Sequence, residues 1–254
     1  MSCGIWSQLF FILMDDCIIQ PCRSQNDPLL PPDGILAVNP TDAAVLPKLA
    51  QTFALVRSSL FHSSLYSGSN FFLAGPAVGA PMAVMTAEKL IALGARRILL
   101  YGWCGSLVQH IPAGALCIPT GAVSEEGTSS HYIAKASFLA DRDFVDTLYH
   151  YAQTTGLPVH RTVIWTTDAP YRETRKKITA YAAQKVSVVD MESSALYALA
   201  AYRKIVCGAV LYVSDELYHH TWEPRFIKKS FRRESCRLLE QLCFWVSKTS
   251  GVCR

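Results

Sequence analysis

Nine consecutive residues, Ile205–Val213 (IVCGAVLYV), carry no charged side chain. An apolar run of this length, bounded by polar residues, describes a strand buried on both faces, which needs helices on either side of its sheet. The run ends in Ser214-Asp215-Glu216. Ahead of it lies VVDMESSALYALAAYRK, whose pattern predicts a short helix beginning near Asp190. Glu192 and Asp215 thus stand at the start of one element and the end of another, where open α/β sheets place their ligands. Helix capping and turn formation suit the same two positions.

Upstream, strand and helix patterns alternate. Gly34–Val38 predicts a first strand. Asn39-Pro40-Thr41-Asp42 is a turn with helix-capping chemistry, leading into a helix over Ala43–Phe53. Ala54–Arg57 and Ser63–Ser67 predict a meander that continues into a buried strand, Phe71–Ala74. The loop Gly75-Pro76-Ala77-Val78-Gly79-Ala80-Pro81 precedes a helix that Gly94 ends. Further strands are predicted at Arg96–Tyr101, broken by Gly102-Trp103-Cys104-Gly105, at Ala115–Pro119 and at Val159–Thr166. Further helices are predicted at Ser137–Thr154, Thr174–Gln184 and Pro224–Ser247. Such alternation is the pattern of a single α/β domain over residues 34–254. Residues 1–33, with Pro21, Pro28, Pro31 and Pro32, form an irregular arm. The apolar stretch near Leu9–Leu13 is too short to span a bilayer and lacks a basic lead, and Met14 offers an alternative start.

A chain of 254 residues, half of them hydrophobic, suffices for one large core. A net charge of +4 is too small to point to nucleic acid. The basic residues Lys228, Lys229, Arg232, Arg233 and Arg237 fall largely off the apolar stripe of the last predicted helix, as on a solvated face. Nine cysteines occur singly, with no metal-ligand spacing, so the expectation is reduced, mostly buried thiols in a soluble cytoplasmic protein.

The GPAVGAP loop has two readings: backbone N–H groups cradling an anion, or a tight strand-to-helix turn. Gly102–Gly105 has the same two. Cys104 lacks an evident base and reads as a buried inert thiol. Arg172, Glu173 and Arg175 read as solvated loop or interface residues.

Taken in order, GILAVNPTD, VRSSLFHSSLYSG, LAGPAVGAP, ALGARRILLYGWCGSL, TTDAPY, VVDMESSAL and VLYVSDEL resemble the nucleoside phosphorylase superfamily, which holds the purine and uridine phosphorylases and related nucleosidases. The resemblance spans roughly residues 34–217. It implies a three-layer α/β/α domain with a mixed central sheet, and an enzyme that cleaves the N-ribosidic bond of a nucleoside without a metal or organic cofactor. By resemblance, Met191 and Glu192 hold the ribose, since a carboxylate offers several acceptor lone pairs to a diol. Asp190 stands beside them, where some relatives carry a second acid. Asp215, next to Ser214, would protonate the departing base. Pro170 and Tyr171 would line the base pocket, and Val78 the sugar. The implied assembly is a homo-oligomer, dimeric or hexameric.

On the acceptor side the chain departs from the pattern. Arg57 matches one phosphate-binding arginine, whose counterpart in hexameric relatives reaches the neighbouring subunit's site. Leu100 and Ala43 stand where two others are usual, and Trp103, after Gly102, replaces a small residue beside the phosphate. Charged hydrogen bonds are worth about 1.5–3 kcal/mol each, so two missing arginines weaken phosphate binding considerably. Asp42 falls where nucleosidases activate water and is equally well placed to cap a helix. Three readings therefore stand: phosphorolysis as the family default, hydrolysis through Asp42, and a non-catalytic nucleoside-binding protein. The accepted base is left open by YRETR, which lacks the Gln/Arg pair of pyrimidine-specific relatives.

Overall fold

The computed structural model describes residues 17–249 except Phe61 and His220; expectations about the first sixteen residues lie outside the described residues. Eleven strands form one mixed sheet. Strands β1 (Asp33–Ala37), β4 (Phe72–Gly75), β5 (Arg97–Ser106) and β10 (Val206–Glu216) are parallel neighbours through the pairings β4–β1, β1–β5 and β5–β10. The antiparallel strands β2 (Val56–Leu60) and β3 (Ser63–Ser67) extend the sheet beyond β4, leaving β2 at its edge.

On the other side, β6 (Leu116–Ser124) pairs with β10, β8 (Val159–Thr166) with β6, β9 (Val188–Asp190) with β8, and β9 with β5. The pairings β5–β10–β6–β8–β9–β5 therefore close into a ring. Short strands β7 (Ser137–Leu139) and β11 (Glu223–Pro224) add to β6 and β10.

Side-chain alternation along the central strands feeds two cores. Leu36, Ile98, Leu100, Ala209, Leu211 and Val213 face helices α3 (Ala80–Leu93) and α6 (Ser193–Arg203). Ile35, Leu99, Tyr101, Val210 and Tyr212 face α2 (Leu46–Thr52), α4 (Arg142–Gln153) and α7 (Lys229–Thr249), completing three layers. Helix α5 (Arg175–Ala183) covers a smaller cluster around Trp165 through Ile178. The arm from Cys17 to Pro32 holds neither helix nor strand. Lys89 of α3 ties it down through the Asp27 carboxylate and the Cys22 carbonyl, both at 2.6 Å.

Several predicted boundaries shift for physical reasons. Val188–Asp190 is a strand, and α6 begins only at Ser193, because Asp190 accepts from both the backbone N–H and the hydroxyl of Ser193. The expected helix 43–53 divides into a single turn, α1 (Pro40–Ala43), and α2. Asn39 rather than Asp42 caps α1, accepting from the Thr41 N–H at 2.8 Å. The expected break at Gly102 does not occur: β5 runs through to Ser106, and Gly102 is needed because a Cβ there would sit 2.6 Å from Val38 Cγ2. Residues 137–139 pair with β6 before Asp141 caps α4. Strand β2 begins at Val56, not Ala54, and α7 starts after a two-residue strand. The five basic residues expected on a solvated face are exposed. Among the described residues no helix is long and apolar enough to cross a membrane.

Candidate active site

The carboxyl ends of β1, β4, β5, β8, β9 and β10 converge on a cleft of about 530 Å³. Glu192, Met191 and Asp190 line it from the β9–α6 turn, Ser214 and Asp215 from the end of β10, and Val78 from the loop after β4. Pro170 and Tyr171 line it from the loop after β8, and Trp103 from β5. Gly102, Arg57 and Asp42 are not among its lining residues.

Asp215 owes its direction to a β-bulge. Along β10 the register with β5 runs Val213↔Cys104 and then Asp215↔Gly105, so Ser214 is the extra residue. Bulges of this kind re-aim a side chain at a sheet end. The Ser214 hydroxyl lies 2.6 Å from Asp215 Oδ1 and 3.2 Å from the Cys104 carbonyl. The Trp222 indole N–H donates to Asp215 Oδ2 at 2.8 Å. Gly105 leaves room beneath: a Cβ there would meet Leu217 Cδ1 at 2.8 Å and Asp215 Oδ2 at 3.4 Å.

Glu192 is buried, and its Oε1 accepts the backbone N–H of Gly79 at 2.6 Å. Gly79 takes φ of +82°, a conformation open to glycine without strain, and this turns its N–H toward Glu192. The glycine loop therefore does engage an acceptor with its backbone, but one supplied by the protein, the Glu192 carboxyl. Burial, reinforced by the nearby Asp190 charge, pushes the Glu192 carboxyl up to about 8. Asp190 is a different case. Its oxygens accept from Thr166 Oγ1 at 2.7 Å and from Ser193 N and Oγ at 2.9 and 2.6 Å. These bonds shape the turn that presents Glu192, so Asp190 is a structural support for that turn.

Glu173, read from sequence as a solvated or interface residue, instead lines the cleft. Burial, then the Asp215 charge, raises its carboxyl to about 8. No motif announces it; only the fold of the 167–174 loop brings it to Asp215. Trp222 and Phe226, which carry no sequence signal either, complete the wall.

On the acceptor side, Trp103 stacks on Phe226 with ring centroids 5.9 Å apart, and its N–H donates to Ser235 Oγ at 2.7 Å. Asp42 is fully buried behind this residue. Burial raises it to about 6 against hydrogen bonding from Ser235 and Trp103, and its Oδ2 has no hydrogen-bond partner among the described residues. Arg57 is exposed on the edge strand β2. Cys104 is buried, and burial keeps its thiol well above the ordinary range, as for an inert thiol. Glu216, His219 and Glu223 bring three potential metal-ligand atoms within 4.8 Å, but Glu216 already accepts from Ala113 N at 2.7 Å and pairs with His219 at 3.0 Å.

Residues 33–243 match the Phosphorylase superfamily. The chain is 28% identical to a guanosine phosphorylase of Halorubrum lacusprofundi over 60% of its own length and 64% of that protein's. It is 30% identical to a DeoD-type purine nucleoside phosphorylase of Brevibacillus brevis, over 66% of this chain and 73% of the relative. In three dimensions it is similar to a uridine phosphorylase from Vibrio fischeri, with a TM-score of 0.72 and 18% identity over 89% of this chain and 93% of the other. A family match over residues 33–243, most of the chain, assigns this protein to the phosphorylase superfamily.

Proposed function

We propose that this protein cleaves the N-ribosidic bond of a nucleoside, with Glu192 holding the ribose and Asp215 protonating the departing base. The observation that carries the reading is that the two carboxyl groups, 23 residues apart in sequence and on different elements, line one cleft and are held differently. Glu192 is held by the backbone N–H groups of Gly79 and Met191, which still leaves acceptor lone pairs for a ribose diol. Asp215 shares the cleft wall with Glu173, Tyr171, Pro170 and Leu217, whose apolar surfaces suit a flat heterocycle. Proton delivery to a ring nitrogen turns the base into a neutral leaving group, a contribution of about 10²–10⁴ in rate. Glu173 faces the same region with its proton retained at neutral pH, so it offers the base a donor that an ionised carboxylate lacks.

Phosphorolysis is the favoured reaction, consistent with the phosphorylases to which the chain is similar. Within one chain the acceptor side offers little charge: Arg57 lies on the sheet edge, and Trp103 fills the wall. In a homo-oligomer, Arg57 of one subunit would serve the cleft of its neighbour, and the phosphate would rest there against Val78 and Trp103. Hydrolysis is the second reading, favoured by a buried carboxyl at Asp42 raised toward neutrality, although Asp42 does not line the cleft. A panel of purine and pyrimidine nucleosides, assayed with and without phosphate, separates the two. The expected result is release of free base that depends on phosphate. Equal rates without phosphate would transfer the role to water and Asp42, and no cleavage of any nucleoside would leave a binding protein.

A further inference from the structure

Trp222 is 58% exposed, yet its indole N–H is aimed inward at Asp215 Oδ2 rather than at solvent. It stands on the return arm of the hairpin in which β10 pairs with β11, with Asp215 directly opposite Pro224. The ring is tilted against Phe226 at 5.8 Å, and Phe226 in turn stacks on Trp103. An aromatic row along the cleft wall therefore sets the position of the indole. With Ser214 on Oδ1 and Trp222 on Oδ2, each carboxyl oxygen has one fixed donor and one lone pair left for the substrate.

We propose that Trp222 is the positioning residue of the proton donor: it fixes the Asp215 carboxyl toward the base and stabilises the carboxylate that remains after the proton has left. The inference rests on the reading of Asp215 given above. In the step itself, the O–H bond of the Asp215 acid breaks as an N–H bond forms on the base. The electron pair of the C1′–N bond passes to the base, and the acceptor closes on C1′. Negative charge then develops on the Asp215 carboxyl. An indole N–H does not surrender its proton in water, so it acts only as a donor, and its contact strengthens as that charge grows. The other titratable groups around Asp215 are the Glu173 carboxyl, the Cys104 thiol on β5, and Glu223 and Arg225 on and beside β11. Among the described residues none of these hydrogen-bonds to Oδ2, whose donor is Trp222.

The test is Trp222→Phe, which keeps an aromatic ring in the row and removes the N–H. The expected result is a kcat lower by roughly 10-fold, the effect of one hydrogen bond to a charged group, with KM changed by less than about 2-fold. An unchanged kcat, or an effect on KM alone, would overturn the proposal and leave Trp222 as wall. A readout independent of turnover is tryptophan fluorescence without nucleoside. The contribution of Trp222, taken as the difference between parent and Trp222→Phe, should change in the Asp215→Asn background; a contribution unchanged by Asp215→Asn contradicts the coupling. If Asp215→Asn cleaves as fast as the parent, the reading of Asp215 fails, while the fluorescence still reports whether the two residues are joined.

Discussion

Asp215→Asn should reduce nucleoside cleavage by about 10²–10⁴-fold, measured as release of free base under saturating substrate. The substitution is nearly isosteric, so the β-bulge at Ser214 and the space above Gly105 remain. What disappears is the acidic proton. An amide has an oxygen for one of the two fixed donors, Ser214 Oγ and Trp222 Nε1, and presents its own N–H₂ to the other. Some local rearrangement therefore accompanies the loss, and it falls on the orientation of residue 215 rather than on the ribose side of the cleft. KM should move much less than kcat, because the group acts chiefly once the bond is breaking. A full-rate Asp215→Asn protein removes this residue from the chemistry.

Above pH 8, where the Glu192 carboxyl is ionised, Glu192→Gln should lower kcat/KM by about 10²-fold or more, this time with a clear rise in KM, since charged hydrogen bonds to ribose hydroxyls are each worth about 1.5–3 kcal/mol. Gln can still accept the Gly79 N–H, but its amide nitrogen then faces a diol that needs an acceptor. The same variant carries a signature in stability. The Glu192 carboxyl moves from an ordinary value of 4.5 in the unfolded chain up to about 8 in the folded protein, chiefly through burial. Between these values the folded state holds a proton that the unfolded state has lost, so stability is fully present below about pH 4.5 and declines as pH rises through 8. Removing the group should flatten the parent's decline over that window by up to about 1.4 kcal/mol per pH unit, the slope of one proton. Chemical unfolding of both proteins at pH 5, 6, 7 and 8 checks it. Glu173, raised for a similar reason, sustains the remaining slope.

Both residues were legible in the sequence because they occupy ends of elements with strong patterns. The apolar run 205–213 is the core of β10, and the small and apolar residues after Glu192 form a helix buried along its length. The three-layer arrangement followed from the same alternation. Other features depend on pairings that local pattern does not encode. Val188–Asp190 is three residues long and becomes a strand only because β5 and β8 flank it. Closure of the sheet into a ring requires β10 to pair with both β5 and β6, strands about 100 residues earlier. The Ser214 bulge shows up only in the register between β5 and β10.

The misreadings in the site have one shared cause. Asp42 looked like a cap because of its place after Asn-Pro-Thr, yet the cap is Asn39, and Asp42 turns into the core beside Ser235 and Cys236 of α7. Glu173 sits among charged residues of an apparently solvated loop, and tertiary folding alone brings it to the cleft. Trp222 lies in a stretch with no periodicity, and its role rests on one hydrogen bond across a hairpin. Each depends on a side-chain contact that the local sequence pattern does not encode.

The central claim is a division of labour in one cleft, with the sugar on Glu192 and the base near Asp215. A crystal structure of the protein with ribose, free base and sulfate bound together tests it most directly. The account predicts ribose hydroxyls within hydrogen-bond distance of Glu192, a ring nitrogen of the base facing Asp215, and sulfate against Trp103 and Val78. A base seated on Glu192, or ligands bound outside this cleft, would contradict it.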